Sequence, residues 1–501
     1  MIKVYPVTKT KDLCDDYTVY INGEKAELNT ARVSAYPFNR RWPGHQRQIE
    51  QTELVNFLSM QADETVEIKI IPKVPSLNFR IRPRNPRVKA AINCNGEIKL
   101  TIAHAGQYTI EPYGRNHALH IFIDPVDDYD IRNDDKNVVY FGAGEHNVGD
   151  LYLKSGQTIF IDEGAVVYAT IYGKHVEKVK ILGRGILDNS KNAEKILYDL
   201  NVEGNDAAVD NADRQHAINF VCCKNIEIDG ITIRDSLVYN INTLSSENVH
   251  INNVKIIGCW RFNSDGVHFA NCRNSSLTNS FLRTYDDSIC VRGFANYDYD
   301  MFLNDEKEEN LDFYCENILV KNCVVWNDWG KNLQVGTETF AKHVKNVVFE
   351  DCKLIHTSGL GITIWLVDNA VVSEIIFKNI DVEYDDYLLK NSIQNKDEDL
   401  YFDDYNPDYA GSLVYFEISK HFEYSLIKTE DELGKVDGVV VDGLNLYSVQ
   451  KPIFSIYGYS MKSPVKNIVF KNVYWNDEKL GKEIFNKNLN KNKFAIDIDY
   501  K

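Results

Sequence analysis

Three carboxylates fall close together in WRFNSDGVHFANCRNSSLTNSFLRTYDDSICVRG, the stretch from Trp260 to Gly293. Asp265 stands in a polar, turn-like context, and the adjacent pair Asp286–Asp287 follows a short strand-like run. Neighbouring carboxylates repel, and partial burial raises their pKa values, so apolar flanks make such a pair awkward to hold. Acid–base chemistry uses this arrangement, one carboxyl keeping a proton while another takes one. Hydrolysis of a glycosidic bond with inversion needs one acid to protonate the leaving oxygen and another carboxylate to activate water, about 6.5–9.5 Å apart. A solvated acidic turn or a cation site would carry the same dipeptide, so the weight falls on the elements around it.

Those elements repeat. KNIEIDGITIRDS (from Lys224) is followed by ENVHINNVKIIGC (Glu247), RNSSLTNSFLRTY (Arg273), ENILVKNCVVWND (Glu316), KNVVFEDCKLIHT (Lys345), SEIIFKNIDVEYD (Ser373), DGVVVDGLNLYSV (Asp437) and KNIVFKNVYWNDE (Lys466). The period is roughly 23 to 29 residues, stretched where loops intervene, and a unit this short cannot bury its own apolar face. Stacking is required, which predicts a parallel β-solenoid. Asn at the turns suits left-handed backbone and can form side-chain ladders. Cys323 and Cys352 share a phase in neighbouring units and are expected to stack as small buried residues. Rungs lie about 4.8 Å apart. Counted from each unit's leading Asn, Asp265, Asp286, Asp287, Lys331 and Gly361 have similar phases, so one column on one face is expected to gather them.

Ahead of the repeat, residues 1–137 alternate polar and apolar residues in short runs (YTVYING, ETVEIKIIP, GEIKLTIA, GQYTIEPYG, ALHIFIDP) split by Gly, Asn and Pro, the pattern of a β-sandwich. The chain is therefore expected to be all-β, an N-terminal sandwich (1–137) followed by a β-helix (138–501). The Tyr36–Glu53 segment is rich in aromatic and basic residues and could pack between the domains or cover the site through Arg40, Arg41, Trp42 or Gln46. Insertions at about 296–313 and 385–408 read as surface loops able to wall a cleft.

Composition narrows the partner. The 501 residues are 44% hydrophobic, enough for a large core, and 56 basic against 73 acidic residues give a net charge of −17. That balance argues against nucleic acid, anionic membrane and polyanionic substrates. No signal-peptide core opens the chain and no run is long enough to span a bilayer. With ten cysteines, this reads as a cytoplasmic protein with reduced thiols.

From about residue 138 to 370 the sequence resembles glycoside hydrolase family 28, the polygalacturonases, and more loosely the family 49 dextranases and isopullulanases. NSDG (Asn263–Gly266) resembles the family's Asn-Thr-Asp-Gly, and YDDSICVRG its Asp-Asp-Cys-Ile segment. The resemblance implies a right-handed parallel β-helix and inverting hydrolysis. Asp286 would be the general acid, with Asp265 and Asp287 holding and deprotonating the water. Two departures matter. Lys331 in GKNLQVG stands where the family has the histidine of Gly-His-Gly, and Gly361 and Thr363 in GLGITIW stand where it has the two cations that bind a substrate carboxylate.

These losses, with the charge of −17, predict a neutral poly- or oligosaccharide substrate, α-linked and glucan-like. A sandwich ahead of the helix also resembles the family 49 architecture. Asn242, Asn263, Arg292, Lys331, Gln334, Glu338 and Trp365 are the candidate substrate-binding residues, the amides for hydroxyl groups and Trp365 for stacking. His268 is expected on the far side of its rung, and Arg214, Gln215 and His216 at the edge of the cleft without a catalytic role. No metal or cofactor is implied. The alternatives are a galacturonan hydrolase binding its carboxylate through Lys331 and Arg292, a lyase on the same helix type, and a non-catalytic carbohydrate-binding β-helix. The scarcity of basic residues disfavours the lyase, and the intact carboxylate set disfavours the binding module.

Overall fold

Inward-facing apolar residues that recur once per rung hold this molecule together. The computed structural model describes residues 1–10, 12–35, 49, 52–127, 129–195, 216–261, 263–293, 314–357, 360–383, 412–420, 433–449 and 451–501. A 30-stranded sheet runs from Val138–Phe141 to Ala495–Tyr500. Its pairing is parallel through the rungs from Ile218–Val221 to Leu360–Leu366, and three strands make a rung. Arg273–Thr278, Phe281–Thr284 and Ile289–Arg292 lie on Glu247–Asn252, Lys255–Ile257 and Val267–Ala270. This is the expected right-handed parallel β-helix. Alternation sends Val267, Phe269, Ile289, Val291, Leu333 and Val335 into one continuous core.

Left-handed residues let each rung restart above the last. Asn225, Asn248, Asn274, Asn317 and Asn346 have φ of 57°, 56°, 50°, 59° and 52°, a region in which asparagine is tolerated better than most residues. Their amides form the expected ladder: Asn248 Nδ2 donates to Asn225 Oδ1 (3.1 Å), Asn317 to Asn274 (2.8 Å) and Asn346 to Asn317 (2.7 Å). Cys323 and Cys352 are buried, and all ten cysteines are free thiols. The far end is closed by the short helix Lys482–Lys487, whose Phe485 packs on Phe454, Phe470 and Tyr500.

The N-terminal strands form two sheets, of six and five strands, around their own core of Val19, Ile68, Ile70, Ile98, Ile121 and neighbours. A third core joins this sandwich to the helix, where Val33, Phe57 and Phe122 meet Ile257, Phe281, Val324, Trp326 and Ile355. The sandwich therefore covers the face built by Lys255–Ile257, Phe281–Thr284, Val324–Asn327 and Lys353–His356. The turn after each of these strands leads to the neighbouring face, and Asp265, Asp286 and Asp287 lie in two of those turns. Residues 36–48, 294–313 and 384–411, which include Arg40, Arg41, Trp42, Gln46 and both insertions, lie outside the described residues, as do Arg214 and Gln215.

Charges are buried in the joint between sandwich and helix. Lys255 Nζ lies 2.5 Å from Asp124 Oδ1 with both side chains nearly inaccessible. Arg82 bridges Glu111 and Glu383 at 2.8 Å each, and His356 meets Glu111 at 2.6 Å. Removing one partner of a buried pair costs more than the pair contributes, because the other charge is left uncompensated. Lys255→Met should therefore destabilise the folded chain by about 3 kcal/mol, read as a lower urea midpoint. An unchanged midpoint would show that Arg184, 3.7 Å from Asp124, suffices for that carboxylate.

Candidate active site

The first carboxylate depends on a turn that only glycine closes. Ser264 N and Oγ both donate to Arg261 O, at 3.1 and 2.6 Å, and Asn263 is left-handed at φ 55°. Arg261 pairs with Asp235, which also accepts from Trp260 Nε1 (2.9 Å). A Cβ at Gly266 would lie 2.1 Å from Ser288 O. Asp265–Gly266 thus packs directly on the next rung, where Gly266 N donates to Asp287 O (2.9 Å).

The second turn is tied by polar side chains. Thr284 Oγ1 and Asn327 Nδ2 donate to Asp286 O at 2.8 and 2.6 Å, and Asp287 N donates to Asp286 Oδ1 (2.9 Å). Lys331 completes the set from the next rung. Its backbone N donates to Asp287 Oδ1 (2.8 Å), and its Nζ lies 3.2 Å from both oxygens of Asp287. The register pairing Val267 with Ile289 and Ile289 with Leu333 sets Asp265, Asp287 and Lys331 at one level on successive rungs.

One oxygen from each of Asp265, Asp286 and Asp287 falls within 4.8 Å of the others. The expected 6.5–9.5 Å is not met by these oxygens. Two of the carboxylates are adjacent in sequence, and the third is one rung away, a step of about 4.8 Å. All three are nearly buried, at 5%, 7% and 8% exposure. Burial first, and Asp287 beside it second, push Asp286 up to about 8. Burial, then Asp286 and Asp287, push Asp265 well above the carboxylate range. Burial works against the charge on Lys331, but Asp287 and Asp286 outweigh it and raise its pKa.

The other candidates divide. Gly361 is one residue off the expected column, because Lys331 pairs with Leu360; neither residue offers a cation. Lys331 is no solvated rim residue but an ion-pair partner of Asp287. Arg292 and Glu338 pair with each other at 2.6 Å. Asn242 donates to Asn219 (2.9 Å), and Gln334 Nε2 to Thr337 (3.1 Å), leaving Gln334 Oε1 without a partner among the described residues. Trp365 is partly exposed, its ring 5.5 Å from Lys331 Nζ, and Asn263 is partly exposed beside Asp265.

His268 overturns its expected placement. Alternation turns Val267 and Phe269 inward and His268 outward, and its Nε2 lies 2.9 Å from Asp265 Oδ2. Tyr239 was not singled out from the sequence; it stacks on His268 with centroids 4.0 Å apart. The signal available was the V-H-F alternation three residues after Asp265. Asp265, His268 and Cys290 bring possible metal ligands within 4.8 Å, as do the three carboxylates. In the first group Arg292 Nη2 donates to His268 Nδ1 (2.9 Å), so the neutral ring carries its proton on Nε2 and that nitrogen has no lone pair for a metal. Beside the carboxylates the positive charge comes from Lys331 and Arg292.

Residues 151–387 match the family described as glycosyl hydrolases family 28. The resemblance carried by NSDG and YDDSICVRG is thereby supported across the helix. An exopolygalacturonase of Arabidopsis thaliana is 26% identical over 168 residues, 33% of this chain and 35% of that protein. A polygalacturonase of Brassica napus is 25% identical over 152 residues, 30% and 33% of the two chains. The chain thus matches about a third of the length of these relatives. Among solved structures, Dex49A from Penicillium minioluteum aligns with 98% of this chain and 96% of its own (TM-score 0.57, 12% identity). A hyperthermoactive exopolygalacturonase from Thermotoga maritima aligns with 72% and 84% (TM-score 0.51, 16% identity). These two structural likenesses show the shared fold.

Lys331 favours the ionised form of Asp286, so its removal should raise that carboxyl's pKa. In Lys331→Met, carboxyl resonances of ¹³C-labelled aspartate should show the Asp286 midpoint moving upward from about 8. A downward move would show that Lys331 does not govern the cluster's charge.

Proposed function

We propose that this chain hydrolyses a glycosidic bond of a neutral, α-linked, glucan-like poly- or oligosaccharide with inversion. Asp286, with no cation in hydrogen-bond contact among the described residues and its pKa raised to about 8, keeps a proton at neutral pH and gives it to the leaving oxygen. Asp287, in contact with Lys331, is the carboxylate suited to take a proton from water, and Asp265 holds that water. Oxygens up to 4.8 Å apart can both accept from one water at about 2.8 Å from each.

The substrate class rests on one observation. Among the described residues, the cations beside the carboxylates are Lys331 and Arg292, and each is already paired, with Asp287 and with Glu338. The rung after Lys331 presents Leu360, Gly361 and Thr363. A uronate buried here would need a cation to offset its desolvation. Partly exposed Trp365 offers a stacking face to a neutral ring instead. A second reading, galacturonan hydrolysis, is favoured by the names of the two plant relatives. It requires Lys331 or Arg292 to exchange its present partner for the substrate.

Assay of dextran, pullulan and isomalto-oligosaccharides beside polygalacturonate separates the readings, with Asp286→Asn in parallel. Hydrolysis of a neutral glucan is expected, falling by about 10²–10⁴-fold in the variant. Cleavage of polygalacturonate alone would replace the substrate assignment. A general acid works only while protonated, so kcat/KM should fall as pH rises through about 8. The anomer released, followed by NMR, should be inverted; retention would make one carboxylate a nucleophile, as the short spacing would then require.

A further inference from the structure

Behind Asp265 stands a column of rings and charges that the proposed acid–base roles do not use. His216, Tyr239 and His268 stack, with centroids 4.5 and 4.0 Å apart and planes within 17°. Arg292 Nη2 reaches both His268 Nδ1 (2.9 Å) and Tyr239 Oη (3.1 Å), while its Nη1 lies 2.6 Å from Glu338 Oε2. His268 and Arg292 are almost wholly buried. A guanidinium only donates, so His268 Nδ1 must accept, and the neutral ring's proton is on Nε2. That N–H points at Asp265 Oδ2, 2.9 Å away, while Asp265 Oδ1 is buried with no hydrogen-bond partner among the described residues.

We propose that His268 is a positioning residue: with its tautomer fixed by Arg292, it donates to one oxygen of Asp265 and leaves the other as the oxygen that meets the water. Stacking on Tyr239 and the guanidinium's hydrogen bond to Nδ1 restrict the orientation of the His268 ring, and the ring's Nε2–H restricts Asp265. Burial and Arg292 keep the imidazole neutral, its pKa well below the usual histidine value. Around Asp265 the charged groups are Asp286 and Asp287 from the next rung with Arg292 and Lys331, so the histidine hydrogen bond counteracts the carboxylate repulsion that favours protonation. The kinetic consequence rests on the hydrolysis proposed above; the tautomer does not.

Two measurements keep those claims apart. In ¹⁵N-histidine NMR the resonance lost in His268→Gln should report a neutral ring protonated at Nε2 across about pH 5 to 8, and Arg292→Met, which frees Nδ1, should let the Nδ1–H tautomer appear. A ring protonated at Nδ1, or one that titrates in the unaltered protein, overturns the proposal whether or not any glycan is cleaved. In kinetics, His268→Ala should lower kcat by about 10²-fold with KM little changed. It should also move the acid limb of the pH profile upward, because a carboxylate that loses a donor protonates at higher pH. His268→Gln keeps an N–H for Asp265 and should restore most of both. Equal losses in the two variants with an unmoved acid limb would make His268 merely structural. Failure of the unaltered protein on every glycan would overturn the hydrolysis alone.

Discussion

A parallel rung can begin again directly above the previous one only if the chain turns through the same corner each time. Here that corner is a left-handed asparagine whose amide bonds to the asparagine below, from Asn225 through Asn248 and again from Asn274 through Asn317 to Asn346. The ladder satisfies polar groups that a bare turn would leave to water, and it fixes the register of everything downstream. Side chains at one phase of successive rungs are then held about 4.8 Å apart whatever their charge. The clustering of Asp265, Asp286 and Asp287 follows from that register. Three like charges would separate if each turn were free to move.

The same register explains what the sequence could disclose. Asn-apolar-x-apolar units identify the rungs, so the fold and the gathering of the carboxylates are legible from spacing alone. Gly361 misses the column because its phase is one residue too long: the residue as far beyond Asn346 as Lys331 is beyond Asn317 is Leu360, the partner of Lys331 in the register. The bulge at Lys353–His356 is cancelled by a shorter turn, and a slip of one residue turns a side chain to the opposite face. His268 was legible in principle, since its apolar neighbours Val267 and Phe269 both face the core. The reach of Arg292 to His268 could not be counted from within one rung, because it crosses 24 residues.

The joint between sandwich and helix lies further from sequence reasoning. Arg82 and Glu383 are 301 residues apart, and Lys255 and Asp124 are 131 apart; no local pattern announces either pair. Apolar residues from both units supply the adhesive surface. Buried ion pairs add little net stability, but wrong alignment would strand them unpaired, so they penalise other docking positions of the sandwich. One such contact reaches near the site: Arg115 of the sandwich pairs with Asp328, which also lies 3.7 Å from Arg283, three residues before Asp286. The sandwich thereby braces the strand from which both adjacent carboxylates emerge.

Adjacent carboxylates given identical surroundings would compete for one proton and neither could be assigned a role. What separates Asp286 from Asp287 is a single side chain on the next rung. Lys331 touches both oxygens of Asp287 and makes no such contact with Asp286, whose principal donor is the backbone N–H of Asp287. Burial then raises Asp286, while Asp287 keeps a cation at contact distance. In the proposed mechanism this difference in surroundings divides acid from base, as it does wherever paired carboxyls take different tasks. That division uses up the charge of Lys331. A lysine held at both oxygens of Asp287 cannot also neutralise an incoming uronate without leaving that carboxylate, and the proposal of a neutral glycan rests on this.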